Sequence, residues 1–337
     1  MTVQRYQELA VVGAGSWGTA LAVLLAPRFE HVRLWVYEAD LAGRMAATRV
    51  NDVFLPDSRL PENVRVSTSF EEVLAGAQIV LGVMPSAHAR RTYKAMLPFL
   101  DPAMLFVSAT KGIENGTLLR MTQVVEEVAG ARFAPRVGAL SGPTFAKEVA
   151  RGEPAAVAIA STDQRLASDV QAAFSGPSFR LYTNNDIVGV ELGAALKNVI
   201  AIGAGICHGL GLGNNTMAAL ITRGLAEITR LAVAMGGRPK TLAGLAGLGD
   251  LVLTCTGALS RNRQLGTELA KGRKLDEILA SMRMVAEGVE TTTAAVDLAR
   301  LHGVEMPITE QMYAIMRLGR PPREAIRELM ERSLKGE

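Results

Sequence analysis

A lysine in the middle of an apolar, small-residue stretch is the first group in this sequence that indicates chemistry. Lys197 lies within VELGAALKNVIAIGAG, residues 190–205, which is predicted to form a helix. Burial of an unpaired ammonium is costly, so this lysine needs a charged partner or a lowered pKa. Both conditions suit a proton donor that works near neutral pH. Helical periodicity alone also allows a lysine that reaches solvent or forms a structural ion pair.

Small residues flank this lysine at helical spacing, among them Gly193 and Ala204, so a second backbone is expected to approach the helix closely. Farther along, Asp250 lies in the glycine-rich turn GLGDL, residues 247–251. We expect its carboxylate to hold the ammonium by a charge-assisted hydrogen bond. The alternative is that Asp250 only caps the helix that begins at Leu251.

A third chemical signal is Ser260-Arg261-Asn262. Ser260 is predicted to cap a helix that begins at Arg261. The N-terminus of a helix that also carries an arginine and an asparagine is well suited to binding a phosphate. The alternative is an ordinary capped surface helix with solvated arginines.

The glycine motif near the N-terminus predicts a dinucleotide site. GAGSWG, residues 13–18, follows an apolar strand and opens a helix, and Glu38 lies about 20 positions beyond the last glycine, the usual spacing. In this setting Gly13 permits the tight turn, Gly15 lets a pyrophosphate approach the backbone, and Gly18 lets the helix pack on the strand. The amides at the start of the helix would bind the pyrophosphate.

The identity of the dinucleotide stays open between NAD and NADP. Glu38 is placed to accept hydrogen bonds from the ribose hydroxyls of NAD. It is also a candidate for an exposed loop carboxylate without a ligand. Arg44 is close enough in sequence to contact the 2′-phosphate of NADP instead.

Two loops are predicted to line the same crevice, because ligands of such sheets sit beyond the carboxyl ends of the strands. Lys111 follows one strand and is expected either to point into the crevice or to be a surface lysine. Gly142 and Thr144 follow the next strand in SGPTFAKE, residues 141–148. Glycine and proline shape this loop, so its amides and the Thr144 hydroxyl are expected to face a ligand.

Apolar strands alternate with helices in the first half of the chain, which predicts a parallel sheet covered on both faces. The predicted strands are Leu9–Val12, Val32–Tyr37, Ile79–Met84, Met104–Ala109, Val137–Leu140 and Ala155–Ala160. The predicted helices between them include Thr19–Leu25, Phe70–Leu74, His88–Leu97 and Thr117–Val128.

Strand signals fade after Tyr182, and the remainder reads as helices. We therefore predict an α/β fold in which an N-terminal Rossmann-type doubly wound domain, residues 1–188, binds the dinucleotide. An all-α C-terminal domain, residues 189–337, would supply the substrate and catalytic groups.

Composition narrows the classes of function. A net charge of +3 over 337 residues, without a cluster of basic and aromatic residues, gives no reason to expect a nucleic-acid partner. Two distant cysteines exclude a disulfide framework and fit a reducing compartment. We read no secretory signal and no uninterrupted apolar run long enough to span a bilayer, and so expect a cytoplasmic protein. Four scattered histidines predict no metal site.

Taken over almost its full length, the chain resembles bacterial NAD(P)-dependent glycerol-3-phosphate dehydrogenases. The stretches that carry the resemblance are GAGSWGT (13–19), NDVFLP (51–56), ATKG (109–112), SGPTFAKE (141–148), LGAALKNVIAIGAG (192–205), ITRGLAE (221–227), AGLGDLVLTCT (246–256), SRNR (260–263), VAEGVET (285–291) and GVEMPI (303–308).

This resemblance implies reversible reduction of dihydroxyacetone phosphate to sn-glycerol 3-phosphate, which feeds phospholipid synthesis, and a homodimer. It makes Lys197 the proton donor, aided by Lys111 and Asp250. Substrate contacts would come from Lys111, Gly142, Thr144, Lys197, Asp250, Ser260, Arg261 and Asn262. Besides the three motif glycines and Glu38, cofactor contacts would come from Ser16, Trp17, Tyr37, Lys111, Ala146, Arg261, Val285 and Glu287. Relatives often carry histidine or arginine where this chain has Val36-Tyr37-Glu38.

Two other functions remain as alternatives at this point. One is another two-domain dehydrogenase, of the hydroxyacyl-CoA or ketopantoate type. The phosphate-binding cluster at residues 260–262 argues for a small phosphorylated substrate instead. The other is a redox sensor that binds NAD(H) without turnover, which the presence of Lys197 beside an anion site disfavours.

Overall fold

The computed structural model describes residues 6–282 and 286–333. Within these residues, all strands lie before residue 185. They are β1 (Glu8–Val12), β2 (His31–Trp35), β3 (Val50–Asn51), β4 (Leu55–Arg59), β5 (Val64–Ser67), β6 (Ile79–Gly82), β7 (Leu105–Ser108), β8 (Arg136–Ser141), β9 (Ala155–Ala160) and β10 (Phe179–Asn184).

The helices of the N-terminal half connect these strands. They are α1 (Ser16–Leu25), α2 (Ala39–Thr48), α3 (Phe70–Leu74), α4 (Ser86–Met96), α5 (Met121–Ala129), α6 (Ala146–Ala150) and α7 (Gln164–Phe174). The C-terminal half, as far as it is described, is helical. Its helices are α8 (Ile187–Gly209), α9 (Asn214–Ala234), α10 (Pro239–Leu242), α11 (Asp250–Thr256), α12 (Arg261–Ala270), α13 (Leu275–Ser281), α14 (Gly288–Leu301), α15 (Pro307–Leu318) and α16 (Pro322–Met330).

Eight strands form one sheet in the order β10-β9-β8-β7-β6-β1-β2-β5, and β3 and β4 form a separate antiparallel pair. Alternate residues of β1 enter different cores: Leu9 and Val11 join one apolar cluster, whereas Ala10 and Val12 join another. The sheet is therefore buried on both faces, which explains why its strands are continuous apolar runs. This confirms the predicted α/β architecture with a helical second half.

One strand pair departs from the predicted parallel arrangement. β8 and β9 are antiparallel, with Leu140 opposite Ile159, whereas β9 and β10 are parallel. A parallel return usually passes through a full crossover helix that lies along the face of the sheet. Between β8 and β9 the chain has only the five-residue α6, whereas α7 provides eleven residues between β9 and β10.

Several helices and strands begin or end at other residues than predicted, and some were not predicted at all. β2 ends at Trp35, so Tyr37 and Glu38 belong to the turn before α2. α5 begins at Met121 and not at residue 117, because Ile113 and Arg120 form a β-bridge that keeps the residues between them in a loop. The sequence interpretation did not include α2, α7, β5 or β10.

The central element of the helical half is α8. Its length and mean hydropathy of 1.6 would suffice to cross a membrane, which the sequence interpretation did not foresee. However, 94% of its most apolar window is buried within the protein. Its first turns pack on the sheet, where Val190 meets Ala139 and Ala158. Its later turns, including Ile200 and Ala204, pack among the surrounding helices.

Candidate active site

Lys197 projects from the middle of α8 into a polar cluster that is shielded from solvent. The residue is only 5% exposed. Its Nζ donates to Asp250 Oδ1 at 2.7 Å and to Thr254 Oγ1 at 2.7 Å. The Thr254 hydroxyl itself donates to the backbone oxygen of Asp250, so its oxygen is oriented to accept from the lysine. The buried ammonium thus has the partners that its sequence context demands.

Glycines allow the segment before α11 to place Asp250 opposite this lysine. Residues Leu245–Gly249 form one π-helical turn, a feature that is frequent at functional sites. A Cβ on Gly193 would lie 2.6 Å from the Ala246 oxygen, and a Cβ on Gly247 would lie 2.0 Å from the Leu242 oxygen. Any side chain at either position would push the turn away from α8. Asp250 begins α11, whose N-cap is Gly249, and its carboxylate forms ion pairs with Lys111 and Lys197 and does not cap the helix.

A second ammonium shares the carboxylate of Asp250. Lys111, in the loop after β7, donates from Nζ to Asp250 Oδ2 at 2.9 Å and to the Gly142 oxygen at 3.3 Å. The Thr144 hydroxyl donates to the same Gly142 oxygen at 3.2 Å. Loops after β7 and β8 therefore meet α8 and α11 around one carboxylate, at the carboxyl edge of the sheet. Lys111 points into this crevice and not toward bulk solvent.

This arrangement changes how readily Lys197 gives up a proton. Burial lowers its pKa from the usual 10.5 to about 8. The Asp250 carboxylate opposes that decrease, while the positive charge of Lys111 adds to it. An ammonium with a pKa near 8 is mostly protonated at neutral pH and is a much better acid than a solvated lysine.

The predicted phosphate cluster lies at the start of α12. Ser260 caps this helix by accepting from the Arg263 amide at 3.3 Å. Asn262 donates to Asn198 Oδ1 at 3.0 Å and accepts from the Gly288 amide at 3.0 Å, so it ties α8, α12 and α14 together. Ser260 and Asn262 are buried, and burial lowers the pKa of the Arg261 guanidinium. A solvated surface helix, the alternative from sequence, does not fit these observations.

Glu287 and Ala146 are two further predicted cofactor contacts. Glu287 precedes α14, and burial raises its pKa to about 7, although Arg261, Lys111 and Lys197 act to lower it. Ala146 is the first residue of α6, which packs against α1. Val285, another predicted cofactor contact, lies outside the described residues.

The glycine turn has the shape that a dinucleotide requires. Gly13 has φ +117°, and a Cβ on Gly18 would lie 1.8 Å from the Gly13 oxygen, so both positions need glycine. In contrast, a Cβ on Gly15 would meet no atom within 4 Å, which leaves room for a ligand. The indole nitrogen of Trp17 is buried without a hydrogen-bond partner. Ser16 opens α1, and its hydroxyl donates to the Phe54 oxygen at 2.8 Å.

The turn after β2 carries the residues that bear on cofactor choice. Tyr37 is 66% exposed, and the guanidinium of Arg91 on α4 lies 5.8 Å from its ring centre. Glu38 is exposed at the N-cap of α2. Arg44, the alternative 2′-phosphate contact, instead makes two hydrogen bonds to Asp52, at 2.9 and 3.2 Å.

Three polar residues in and around the site were not predicted from the sequence. Thr254 lies four residues after Asp250, one helical turn away, which is a spacing that could have identified it. Asn51 is fully buried and donates to the Ala14 oxygen and to Thr19 Oγ1, both at 2.8 Å, so it supports the glycine turn. Asn198 follows Lys197 directly and holds Asn262. Only the fold brings Asn51 and Asn198 to their partners.

Two family models match the chain. The NAD-dependent glycerol-3-phosphate dehydrogenase N-terminus matches residues 8–167, and the corresponding C-terminus matches residues 186–327. Over 327 residues the chain is 63% identical to glycerol-3-phosphate dehydrogenase [NAD(P)+] from Koribacter versatilis, covering 96% of this chain and 97% of the relative. It is 53% identical over 331 residues to the protein of the same name from Geobacter sulfurreducens, covering 98% and 99%.

Solved structures give the same grouping. Glycerol-3-phosphate dehydrogenase from Coxiella burnetii is 40% identical with a TM-score of 0.93, covering 98% of this chain and all of that one. The enzyme from Saccharomyces cerevisiae is 26% identical with a TM-score of 0.82, covering 97% and 100%. A ketopantoate reductase from Ralstonia eutropha, at 19% identity and a TM-score of 0.62, shares the fold alone.

Proposed function

The chain belongs to the NAD-dependent glycerol-3-phosphate dehydrogenase family, and from this premise we propose that it reversibly reduces dihydroxyacetone phosphate to sn-glycerol 3-phosphate with NADH or NADPH. The product supplies glycerophospholipid synthesis. The observation that supports this function best is the single buried carboxylate of Asp250 held by Lys111 and Lys197 at the edge of the sheet. It provides a proton donor and a second positive charge where a ketone would lie.

Lys197 acts as the proton donor. The bound reduced nicotinamide supplies the hydride for the ketone carbon. Two N–H bonds of Lys197 are used by Asp250 and Thr254, which leaves the third for the oxygen of the ketone. As negative charge grows on that oxygen, Lys197 donates its proton, and Lys111 stabilises the charge. Asp250 fixes the direction of both ammonium groups.

Residues at the start of α12 receive the phosphate. Ser260, Arg261 and Asn262 surround a helix N-terminus, whose amides favour an anion. Gly142 and Thr144 would contact the substrate from the loop after β8, beside Lys111. Because the site carries Lys111, Lys197 and Arg261 against Asp250 and Glu287, its net positive charge suits a doubly charged phosphate ester.

The dinucleotide is held by the glycine turn and the groups around it. Gly13, Gly15, Ser16, Trp17 and Gly18 would bind the pyrophosphate and the adjacent ribose. Tyr37 and Glu38 would contact the adenosine end, and Lys111, Ala146, Arg261, Val285 and Glu287 the nicotinamide end. The open space at Gly15 and the unpartnered Trp17 nitrogen support this assignment.

The test follows NADH and NADPH oxidation with dihydroxyacetone phosphate in the wild type, in Lys197→Ala and in Lys271→Ala. Lys271 is an exposed lysine paired with Glu268, so its loss controls for charge alone. We expect Lys197→Ala to lose about a hundredfold or more in kcat, the usual value of a positioned general acid, and Lys271→Ala to match the wild type. Undiminished turnover by Lys197→Ala would refute the proton donor.

The same assay with ketopantoate tests the alternative of a ketopantoate-type dehydrogenase, which would oxidise NADH or NADPH with that substrate. Tight NADH binding without oxidation by any ketone would favour the redox sensor.

We further propose two functional units that divide near residue 188, a homodimer, and a cytoplasmic location. The last strand ends at Asn184 and α8 begins at Ile187, so the short turn between them is the natural boundary. The two cysteines, Cys207 and Cys255, are buried and free, as a reducing compartment allows. Light scattering of the purified chain distinguishes a dimer from a monomer.

A further inference from the structure

A buried carboxylate outside the reaction site joins the helical half to the nucleotide-binding half. Glu191, on α8, is 7% exposed. It accepts from the Thr122 amide at 2.8 Å and from the Thr122 hydroxyl at 2.7 Å, and it forms an ion pair with Arg120. Arg120 and Thr122 form the N-terminus of α5, so the carboxylate also meets the positive end of that helix.

The residues that Glu191 contacts, Arg120 and Thr122, are close in sequence to Lys111. Residues 113 and 120 are joined by a β-bridge, so the loop between them is closed, with Lys111 two residues before it and Thr122 two residues after it. Glu191 lies less than two helical turns before Lys197 on α8. One contact therefore connects the two elements that carry the two ammonium groups sharing Asp250.

We propose that Glu191 is a positioning residue for the reaction: by holding Arg120 and Thr122 against α8, it fixes Lys111 at the distance from Lys197 that lets both reach Asp250. This inference rests on the proposed function of these lysines. It concerns a residue that would touch neither substrate nor cofactor.

Ile113, 2% exposed, packs the near end of this loop into the apolar core of the helical half, and Glu191 makes the buried polar contact at the far end. Asn115 donates to Glu290 at 2.7 Å, but that bond is exposed. Lys111 itself has a long, flexible side chain, whose ordering must come from its surroundings. A displacement of about 1 Å at a reacting centre costs as much as a hundredfold in rate, so loss of the Glu191 contact should reach the chemistry.

The chain offers a matched control for this residue. Glu227 is also a buried glutamate, 2% exposed, and it also caps a helix, accepting from the Ile308 amide at 2.7 Å and from the Thr309 amide and hydroxyl at 3.2 Å. Both of its partners belong to the helical half. Glu191→Gln and Glu227→Gln are therefore the same substitution at a buried glutamate that caps a helix, but only the first change acts across the two halves.

Steady-state kinetics give the first readout. We expect Glu191→Gln to lower kcat with dihydroxyacetone phosphate about tenfold to a hundredfold, with little change in KM for NADH. The alkaline limb of its kcat profile should move to higher pH, because Lys111 would no longer oppose the ammonium of Lys197. The charges that act on Lys197 are Asp250, Lys111 and Glu287, and only Lys111 moves. Glu227→Gln should keep the wild-type kcat and profile.

A second readout needs no turnover. Reductive methylation, mapped by mass spectrometry, reports the accessibility of each lysine. Lys111 should react faster in Glu191→Gln than in the wild type or in Glu227→Gln. If the wild type does not reduce dihydroxyacetone phosphate, the proposed function fails, and this measurement alone decides whether Glu191 positions Lys111.

Thr122→Val covers the case in which Glu191→Gln does not fold. It removes one hydroxyl partner of Glu191 and keeps the Thr122 amide, so a smaller change in the same direction is expected in kcat and in Lys111 methylation. Equal kcat, equal pH profile and equal Lys111 methylation in the Glu191 and Glu227 variants would overturn the proposal.

Discussion

At the scale of single residues, the main feature is one carboxylate between two ammonium groups. Asp250 and Lys111 act on Lys197 with opposite sign, because the first stabilises its proton and the second repels it. Burial lowers the pKa more than Asp250 restores it, and the result is about 8. The acidity of Lys197 is therefore set by its neighbours, and changes in those neighbours should be measurable.

Replacing Lys111 and replacing Asp250 should shift the alkaline limb of the pH profile of kcat in opposite directions. Reduction needs the Lys197 ammonium, so kcat falls as pH rises through its pKa. Lys111→Met removes a repelling charge and should move that limb to higher pH, whereas Asp250→Asn removes the attracting charge and should move it lower. Both variants should also be slower than the wild type. The measurement is kcat for dihydroxyacetone phosphate reduction from pH 6 to 10, roughly the range over which the lysine titrates. Shifts in the same direction would contradict this account.

Cofactor choice is a second question at this scale. An exposed carboxylate after β2 repels the 2′-phosphate of NADP, so Glu38→Gln should raise kcat/KM for NADPH relative to NADH, by about tenfold for a contribution of 1.4 kcal/mol. Arg44→Ala is the control, because the pairing of Arg44 with Asp52 keeps its guanidinium occupied. Its ratio should equal that of the wild type. A selectivity change in Arg44→Ala and none in Glu38→Gln would reverse the assignment.

The sequence predicted the burial of Lys197 and its pairing with Asp250 because an ammonium in an apolar helix has few other solutions. It did not predict that Lys111 shares the carboxylate, since residues 111 and 250 are brought together only by the fold. Thr254 was missed because a threonine in the run LVLTCT is also consistent with simple packing.

At the scale of elements, close contact between α8 and α12 brings the catalytic lysine and the phosphate cluster together. A Cβ on Gly266 would lie 2.0 Å from the Ile202 oxygen, and a Cβ on Gly205 would lie 1.9 Å from the Arg263 oxygen. The two helices are therefore in direct backbone contact at these glycines, which have no side chain to separate them. Asn198 and Asn262 then come within hydrogen-bond distance at the same contact.

Gly266→Ala should destabilise the protein, because backbone atoms on both helices must separate. We expect a loss of about 2 kcal/mol or more, within the upper range for overpacked interiors. Gly43→Ala is the matched control on α2, where a Cβ would meet no atom within 4 Å. It should be neutral or should stabilise by roughly 0.5–1 kcal/mol, because alanine favours a helix over glycine. The measurement is thermal unfolding of both variants. Equal melting temperatures for Gly266→Ala and Gly43→Ala would show that the contact between α8 and α12 tolerates a methyl group.

Strands and helices were predictable from the sequence where nearly all of their residues are buried. Strands β1, β6, β7 and β9 are apolar on both faces, so their runs were recognised without any knowledge of their partners. In contrast, α2 buries only Leu41, Ala42 and Met45, which gives a weak helical pattern. The direction of β9 was also wrong in prediction, because it depends on the connection from β8, whose helix α6 is short, and not on the residues of β9 itself.

At the scale of the whole molecule, burial shifts the pKa values of several groups against their charged forms, and for Lys197, Glu227 and Glu287 the shifted pKa lies near neutral pH. Burial raises the pKa of Glu227 and of Glu287 to about 7 and lowers that of Lys197 to about 8. Two of these groups lie at the proposed site, where ligands would change their surroundings. Glu227 lies away from it, so it reports on the folded protein itself.

Glu227 should make the protein less stable as pH rises from about 5 to 8. Its pKa is about 7 when folded and 4.5 in an unfolded chain, so the folded state holds the extra proton between these values. That stabilisation is complete below pH 4.5 and is lost as pH rises through 7. Glutamine at this position has no proton to lose, so Glu227→Gln should become more stable relative to the wild type by roughly 2–3 kcal/mol over this range. Urea unfolding at pH 5, 6, 7 and 8 gives the difference between the two proteins, in which other titrating groups cancel. A constant difference across these values would mean that the Ile308 and Thr309 hydrogen bonds fully offset the burial of the carboxylate.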